Sequence, residues 1–353
     1  MNGRLEGGRS AAVGGPPASS QAPGPGKARP VSSPTSAAGT GGRPASGEGP
    51  RAAGDYLRLA VPYLQRHGVT TPRLDAEVLL AHVLGISRLE LYTRLDQPLV
   101  KSEVDAYREA LVRRAKREPV AYITGVKEFY GLPFQVGPGV LIPRPETEFL
   151  VELALQRLRG AQASEGQGAA LGDAGERRAV VVDFGTGSGA IGLAVAARAA
   201  GTVAVGIDRS PDALRYARSN ALGMGLADRC LWVLADCLEG VRGAAADVVV
   251  SNPPYVPTGE LARLAPEIAR FEPREALDGG PDGLEVARRL VAGAARVLRP
   301  GGWLLVELGG ADQAERLVAW MQQSGWRARY GEVEVSADPV SAAVALVARR
   351  AER

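Results

Sequence analysis

The sequence of 353 residues is short of the side chains that build metal centres and disulfide frameworks. Its two cysteines, Cys230 and Cys237, lack CxxC spacing. That excludes a disulfide scaffold and points to a reducing, cytoplasmic setting. Its two histidines, His67 and His82, both fall in helical-looking sequence, so no metal site and no histidine general base is expected. No apolar run reaches the ~18 residues of a membrane span, and the start lacks the apolar stretch of a secretory signal. A membrane partner is therefore not expected.

Charge of one sign is scarce too. The net charge is +3, but residues 1–53 carry Arg4, Arg9, Lys27, Arg29, Arg43 and Arg51 against Glu6 and Glu48, which leaves −1 for the remainder. A near-neutral body argues against direct nucleic-acid binding, which needs clustered Lys and Arg. The same 1–53 segment is Gly, Pro, Ala and Ser with almost no large apolar residue. It cannot bury enough surface to offset its ordering entropy and is expected to be a disordered tail.

Beyond the tail, residues 54–118 show three runs of helical periodicity, around Tyr56–Leu64, Asp75–Leu84 and Val104–Ala115. Pro62 and Pro72 are read as first-turn or helix-end residues. From 119 to 145 the pattern shortens. Val120–Gly125 and Phe129–Val136 read as strands of a hairpin, and a Pro143-Arg144-Pro145 connector leads into a helix from Glu146. Residues 160–178 read as a surface loop.

Residues 146–353 alternate strand and helix, the signature of a parallel α/β sheet. The apolar run Ala179–Phe184 feeds Gly185-Thr186-Gly187-Ser188-Gly189 and then a helix from Ala190. Such a turn lets a ligand approach the backbone and offers free N–H groups. The next strand, from Val203, ends at Asp208, 23 residues after Gly185, where an acid can accept from both ribose hydroxyls. A third strand leads to Asp236-Cys237. A fourth, Asp247–Val250, runs into Ser251-Asn252-Pro253-Pro254-Tyr255. Two prolines stop that strand and hold the chain extended. An amide side chain and proline carbonyls are thereby fixed at a strand end, the usual ligand site of open α/β sheets. An Asn oxygen and a nearby carbonyl are two acceptors, which suit the two donors of a planar NH2 group, as in an amide or an exocyclic amine. Four strands each delivering polar groups at the same end is the main physical argument for a site. The last strand is expected near Val340–Ala348.

These motifs resemble a known family. Asp183 to Gly189 with Asp208 is similar to the cofactor site of class I S-adenosylmethionine methyltransferases, and Asn252-Pro253-Pro254-Tyr255 to the acceptor motif of those that methylate planar nitrogen. Glu118–Gly125, Leu141–Glu148 and Phe271-Glu272-Pro273 are similar to bacterial peptide chain release factor glutamine-N5 methyltransferases. The resemblance runs from about residue 54 to the C-terminus. It implies a Rossmann-like methyltransferase sheet (146–353), a small all-helical N-terminal domain that docks substrate (54–118) and a hairpin linker (119–145). It implies methyl transfer from S-adenosylmethionine to the glutamine of the Gly-Gly-Gln loop of class I release factors. The cofactor would be held by Gly185, Thr186, Gly187, Ser188, Gly189, Asp208, Asp236, Cys237 and Asn252, and the glutamine by Asn252, Pro253, Pro254 and Tyr255, with Asn252, Pro253 and Tyr255 catalytic. A monomer is expected. Two departures stand out: Cys237 replaces a frequent aromatic residue, and Glu334–Val340 departs from an expected charged turn. The rival reading is an N6-adenine methyltransferase of DNA or RNA. A third is a non-catalytic Rossmann module that only binds a dinucleotide or a protein, which would leave the proline clamp without a purpose.

Overall fold

The computed structural model describes residues 51–165 and 177–352. Most of the expected tail, 1–50, and residues 166–176 of the expected loop lie outside the described residues.

Four helices, α1 (Ala53–Arg66), α2 (Pro72–Leu84), α3 (Arg88–Tyr92) and α4 (Lys101–Ala115), enclose one apolar cluster. Leu64, Leu79, Leu80, Leu91 and Tyr107 are almost wholly buried there, and the Tyr107 hydroxyl donates to the Ala76 carbonyl at 3.0 Å. Pro72 opens α2 as expected, but Pro62 lies inside α1.

Val120–Thr124 is helix α5, not a strand. Pro119 caps its N-terminus and Gly125, at φ +75°, ends it. These bracketing residues are helix signals. They override the β-preference of Val, Tyr, Ile and Thr, because the turn buries Tyr122 against the large domain and Ile123 in the helical cluster. The hairpin itself is shorter: β1 (Val126–Phe129) pairs antiparallel with β2 (Leu132–Gln135). Its two-residue turn, Tyr130-Gly131, has both φ values positive (53° and 70°), the twist that tight hairpins need.

Helix α6 (Glu148–Glu165) leads into a sheet of seven strands. They are β3 (Ala179–Phe184), β4 (Thr202–Asp208), β5 (Cys230–Leu234), β6 (Ala246–Ser251), β7 (Leu298–Leu308), β8 (Tyr330–Ala337) and β9 (Val344–Arg350), in the order β5-β4-β3-β6-β7-β9-β8. All pairs are parallel through β7; β9 runs antiparallel to both its neighbours. Between strands come α7 (Ala190–Arg198), α8 (Pro211–Gly223), α9 (Pro266–Phe271), α10 (Glu285–Val297) and α11 (Ala311–Gln323). The central strands β3, β6 and β7 are mostly apolar because both faces are covered. Val181, Val248, Val250 and Leu305 meet α6, α7 and α8, while Val182, Val249, Leu304 and Val306 meet α10 and α11.

Three differences from the sequence reading have local causes. The helical run after the Asn-Pro-Pro-Tyr segment is split, a 3₁₀ run over Thr258–Arg263 followed by α9, since Pro266 can only open a helix. Val340 is 93 % exposed and the last strand begins at Val344. Asp338 folds the intervening turn by accepting the Ser341 N–H at 2.9 Å. Edge strand β8 was not identified because most of its side chains, Glu332 and Glu334 among them, face water and blur the apolar pattern.

Candidate active site

The chain winds outward in both directions from β3 and β6, so the switch point of the sheet lies between them. A cavity of about 600 Å³ opens there, at the C-terminal ends of β3 to β6. It is lined by Gly185, Thr186, Gly187, Ser188, Asp208, Asp236, Asn252 and Pro254. Every strand end singled out in the sequence therefore reaches one space.

Gly185, Gly187 and Gly189 all take positive φ (67°, 56° and 83°), which folds the turn between β3 and α7. Gly185 and Thr186 donate their N–H groups to the Ile207 carbonyl at 2.8 and 3.0 Å, clamping the turn to β4. Beneath it Asp183 is 1 % exposed, and its Oδ2 accepts from the Thr186 hydroxyl at 2.7 Å and the Gly192 N–H at 3.0 Å. Burial pushes its pKa up to about 6, against those hydrogen bonds. Asp208 accepts the Gly187 N–H at 2.8 Å and the Ser210 N–H at 2.9 Å, one on each oxygen. The Arg209 backbone N–H acts on it as well, and a carboxylate with about four acceptor sites still has room for a ligand. Burial raises the pKa of Asp208, and these backbone donors oppose the rise.

Gly189 closes the turn without lining the cavity. Asp236 reaches the cavity, flanked by Arg289 at 3.3 Å. Cys237 does not line it; its thiol donates to Glu239 at 2.5 Å. Among the described residues no three His, Cys, Asp or Glu side chains gather as a metal site requires.

The Asn252–Tyr255 segment is held from several sides. Ser251, fully buried, donates its hydroxyl to the Phe184 carbonyl at 2.7 Å and locks the end of β6 to that of β3. The Asn252 Nδ2 donates to the Thr147 Oγ1 at 2.8 Å, so Oδ1 is the end left for the cavity. Pro253 and Tyr255 lie outside the lining. Burial pushes the Tyr255 hydroxyl up to about 12.

Several supporting residues were missed in the sequence. Gly139, Val140, Leu141 and Thr147, with Pro143 and Arg144 of the connector, wall the cavity. Glu272 pins that wall by accepting the Ile142 N–H at 3.0 Å and pairing with Arg144. The Asp278–Gly283 turn grips the motif: Val256 donates to the Leu277 carbonyl at 3.0 Å and Gly279 to the Val256 carbonyl at 2.9 Å. Gln313 donates to the Tyr255 carbonyl at 2.9 Å. The signal available was the clustering of Gly and Asp after Phe271-Glu272-Pro273, but nothing in a sequence says which backbone approaches a glycine.

A doubly wound sheet with a glycine turn, a strand-end acid and a clamped Asn-Pro-Pro-Tyr segment is the architecture of a class I methyltransferase. Residues 170–269 match the family model of the methyltransferase small domain, and residues 55–125 that of the PrmC N-terminal domain. The chain is 42% identical over 264 residues to the release factor glutamine methyltransferase of Geobacter sulfurreducens, covering 75% of this chain and 86% of that one. It is 42% identical over 259 residues to that of Moorella thermoacetica (73% and 86%) and 38% identical over 294 residues to that of Rhodospirillum rubrum (81% and 85%). The chain belongs to the release factor glutamine methyltransferase family. Among solved structures the likeness is looser: the hMettl16 catalytic domain is 16% identical, with a TM-score of 0.48 over 71% of this chain and 82% of that one. At that level it does not bear on substrate.

Proposed function

We propose that this protein methylates the side-chain amide nitrogen of the glutamine in the Gly-Gly-Gln motif of class I peptide chain release factors, in the cytoplasm, as a monomer without direct contact to nucleic acid. The observation that carries the reading is the polarity of Asn252: its Nδ2 is taken by Thr147, which turns an acceptor toward the cavity. A substrate amide needs acceptors there.

The cavity suits S-adenosylmethionine. Its volume lies in the range of small-molecule sites. Ser188 Oγ is a buried, partnerless polar atom in its wall, and Asp208 has lone pairs to spare. Gly185 to Gly189, Asp208, Asp236 and Asn252 would hold the group, while Cys237 is set aside. When bound, the group supplies an activated methyl on a sulfonium.

An amide nitrogen is a poor nucleophile because its lone pair is delocalised. The protein's contribution is therefore alignment, which can be worth on the order of 7–11 kcal/mol in favourable cases. Asn252 Oδ1 accepts one amide hydrogen. The family resemblance implies the Pro253 carbonyl as acceptor of the other; the Tyr255 and Val256 carbonyls are already engaged. Both acceptors also stabilise positive charge growing on nitrogen. Tyr255 supports the loop from outside the cavity. We assign residues 54–118 to docking of the release factor, 119–145 to a linker and 146–353 to catalysis. The adenine reading is not favoured, since the curated relatives are named for glutamine.

The test is mass spectrometry of a class I release factor incubated with the protein and S-adenosylmethionine. The expected result is one added methyl on the glutamine of its Gly-Gly-Gln peptide. No gain there, with labelled methyl entering DNA or RNA, overturns the reading.

A further inference from the structure

We propose that Thr147 and Glu307 are positioning residues that decide which end of the Asn252 carboxamide faces the substrate. The inference rests on the function proposed above and deepens it. The two ends of a carboxamide have nearly the same shape and opposite hydrogen-bonding character. Turned over, Asn252 would set N–H groups against the N–H groups of a substrate amide. Something must hold it one way.

Thr147 is that holder, with its Oγ1 2.8 Å from Asn252 Nδ2 and its side chain buried, so that little water competes. A hydroxyl that accepts from Asn252 must send its own proton elsewhere. The acceptor within electrostatic reach is Glu307, near the end of β7, whose carboxylate is influenced by the Thr147 hydroxyl. Glu307 is 4 % exposed, in a buried stretch of β7 whose other residues are Leu304, Leu305, Val306 and Leu308. Its Oε2 is buried with no partner. An apolar residue would suit that strand better if packing were all that mattered. The polarity runs one way: Glu307 accepts from Thr147, Thr147 accepts from Asn252, and Oδ1 is presented to the cavity.

Protonation reverses this order. A neutral Glu307 can donate to Thr147, the threonine proton can then go to Asn252 Oδ1, and the carboxamide turns its donors outward. The groups facing Glu307 are Thr147, Glu146 and Arg144 from the cavity wall and Tyr255 from the motif loop. Burial, with Glu146, pushes its pKa up to about 7, while Thr147 and Arg144 pull it down. The aligned state therefore belongs to the alkaline side of neutrality.

The test combines kinetics on a Gly-Gly-Gln peptide with 15N NMR of the ligand-free protein, for wild type, Thr147→Val, Thr147→Ser and Glu307→Gln. Loss of one oriented hydrogen bond predicts that Thr147→Val lowers kcat about tenfold, with S-adenosylhomocysteine affinity and folding unchanged and Thr147→Ser restoring the rate. Wild-type kcat should rise with pH through about 7, and Glu307→Gln should flatten that rise. The Asn252 side-chain amide resonance should titrate over the same range in wild type and not in Glu307→Gln. Wild-type kcat in Thr147→Val, or a wild-type Asn252 resonance indifferent to pH, overturns the proposal. If Glu307→Gln does not fold, Thr147→Val still decides the kinetic arm. If wild type methylates no glutamine peptide, the assigned reaction fails, and the Asn252 titration still decides whether the relay exists.

Discussion

At the scale of single residues, the site depends on close approaches that only glycine allows. A Cβ on Gly283 would sit 2.3 Å from the Tyr255 carbonyl oxygen, and one on Gly279 2.6 Å from the Pro254 carbonyl oxygen. Gly283 also has φ +76°, where a side chain strains the backbone. Gly283→Ala should cost roughly 1–3 kcal/mol of stability by displacing the motif loop or straining the turn, and should lower turnover as well; a denaturant melt beside a methylation assay checks both. Asn252→Ala should lose roughly 10²-fold or more in turnover, with a smaller loss of S-adenosylhomocysteine affinity; near wild-type turnover in that variant would sink the clamp. Sequence reading placed Asn252, Asp208 and the glycine turn because their chemistry is carried by residue type and spacing. It missed Thr147 as a functional residue because a threonine hydroxyl gains its meaning from the neighbour it meets.

At the scale of elements, α9 does the most with the least. This six-residue helix carries Glu267, which accepts from Arg114 at 2.9 Å and from Arg117 at 2.7 and 2.9 Å, tying α4 to the catalytic domain. The next residue after it, Glu272, holds the cavity wall through Ile142 and Arg144. The two arginines hold the Glu267 carboxylate below its usual range despite burial. Glu267→Ala leaves Arg114 with Asp75 but removes Arg117's carboxylate partner. It should cost about 1–3 kcal/mol and raise KM for an intact release factor more than for a short Gly-Gly-Gln peptide; equal changes for both would argue that α9 plays no part in docking. Long elements with sustained periodicity were legible in the sequence. The short ones were not: α5 is set by a flanking Pro and Gly together with the cores it joins, and β8 by pairing with a strand that comes after it.

At the scale of the whole molecule, buried acids set the response to pH. Asp183 and Glu307 have raised pKa values in the fold, about 6 and about 7, both because of burial. Such groups stabilise most when protonated; their contribution is full below the ordinary carboxylate value and fades as pH rises through the folded value. Glu267 is lowered and acts in the opposite sense, its contribution present at neutral pH and lost on acidification. Glu307→Gln should therefore melt higher than wild type at pH 8, by on the order of 1–3 kcal/mol, with the difference closing toward pH 5. Calorimetry across that range checks it, and a variant equally unstable at both ends contradicts it. The sheet class and its ligand edge were legible from strand order and polar strand ends, whereas pH response depends on depth of burial, which no sequence states.

The order in which the chain is made differs from the order in which its sheet is assembled. β9 is made after both β7 and β8, yet it lies between them. While it is still being synthesised, β8 has no strand to pair with and the long edge of β7 stands open. An open edge is a template for pairing with another chain. For a newborn copy of this protein the hazard is greatest while β8 has emerged and β9 has not, and it passes when the segment Val344–Arg350 slides into the gap already waiting for it.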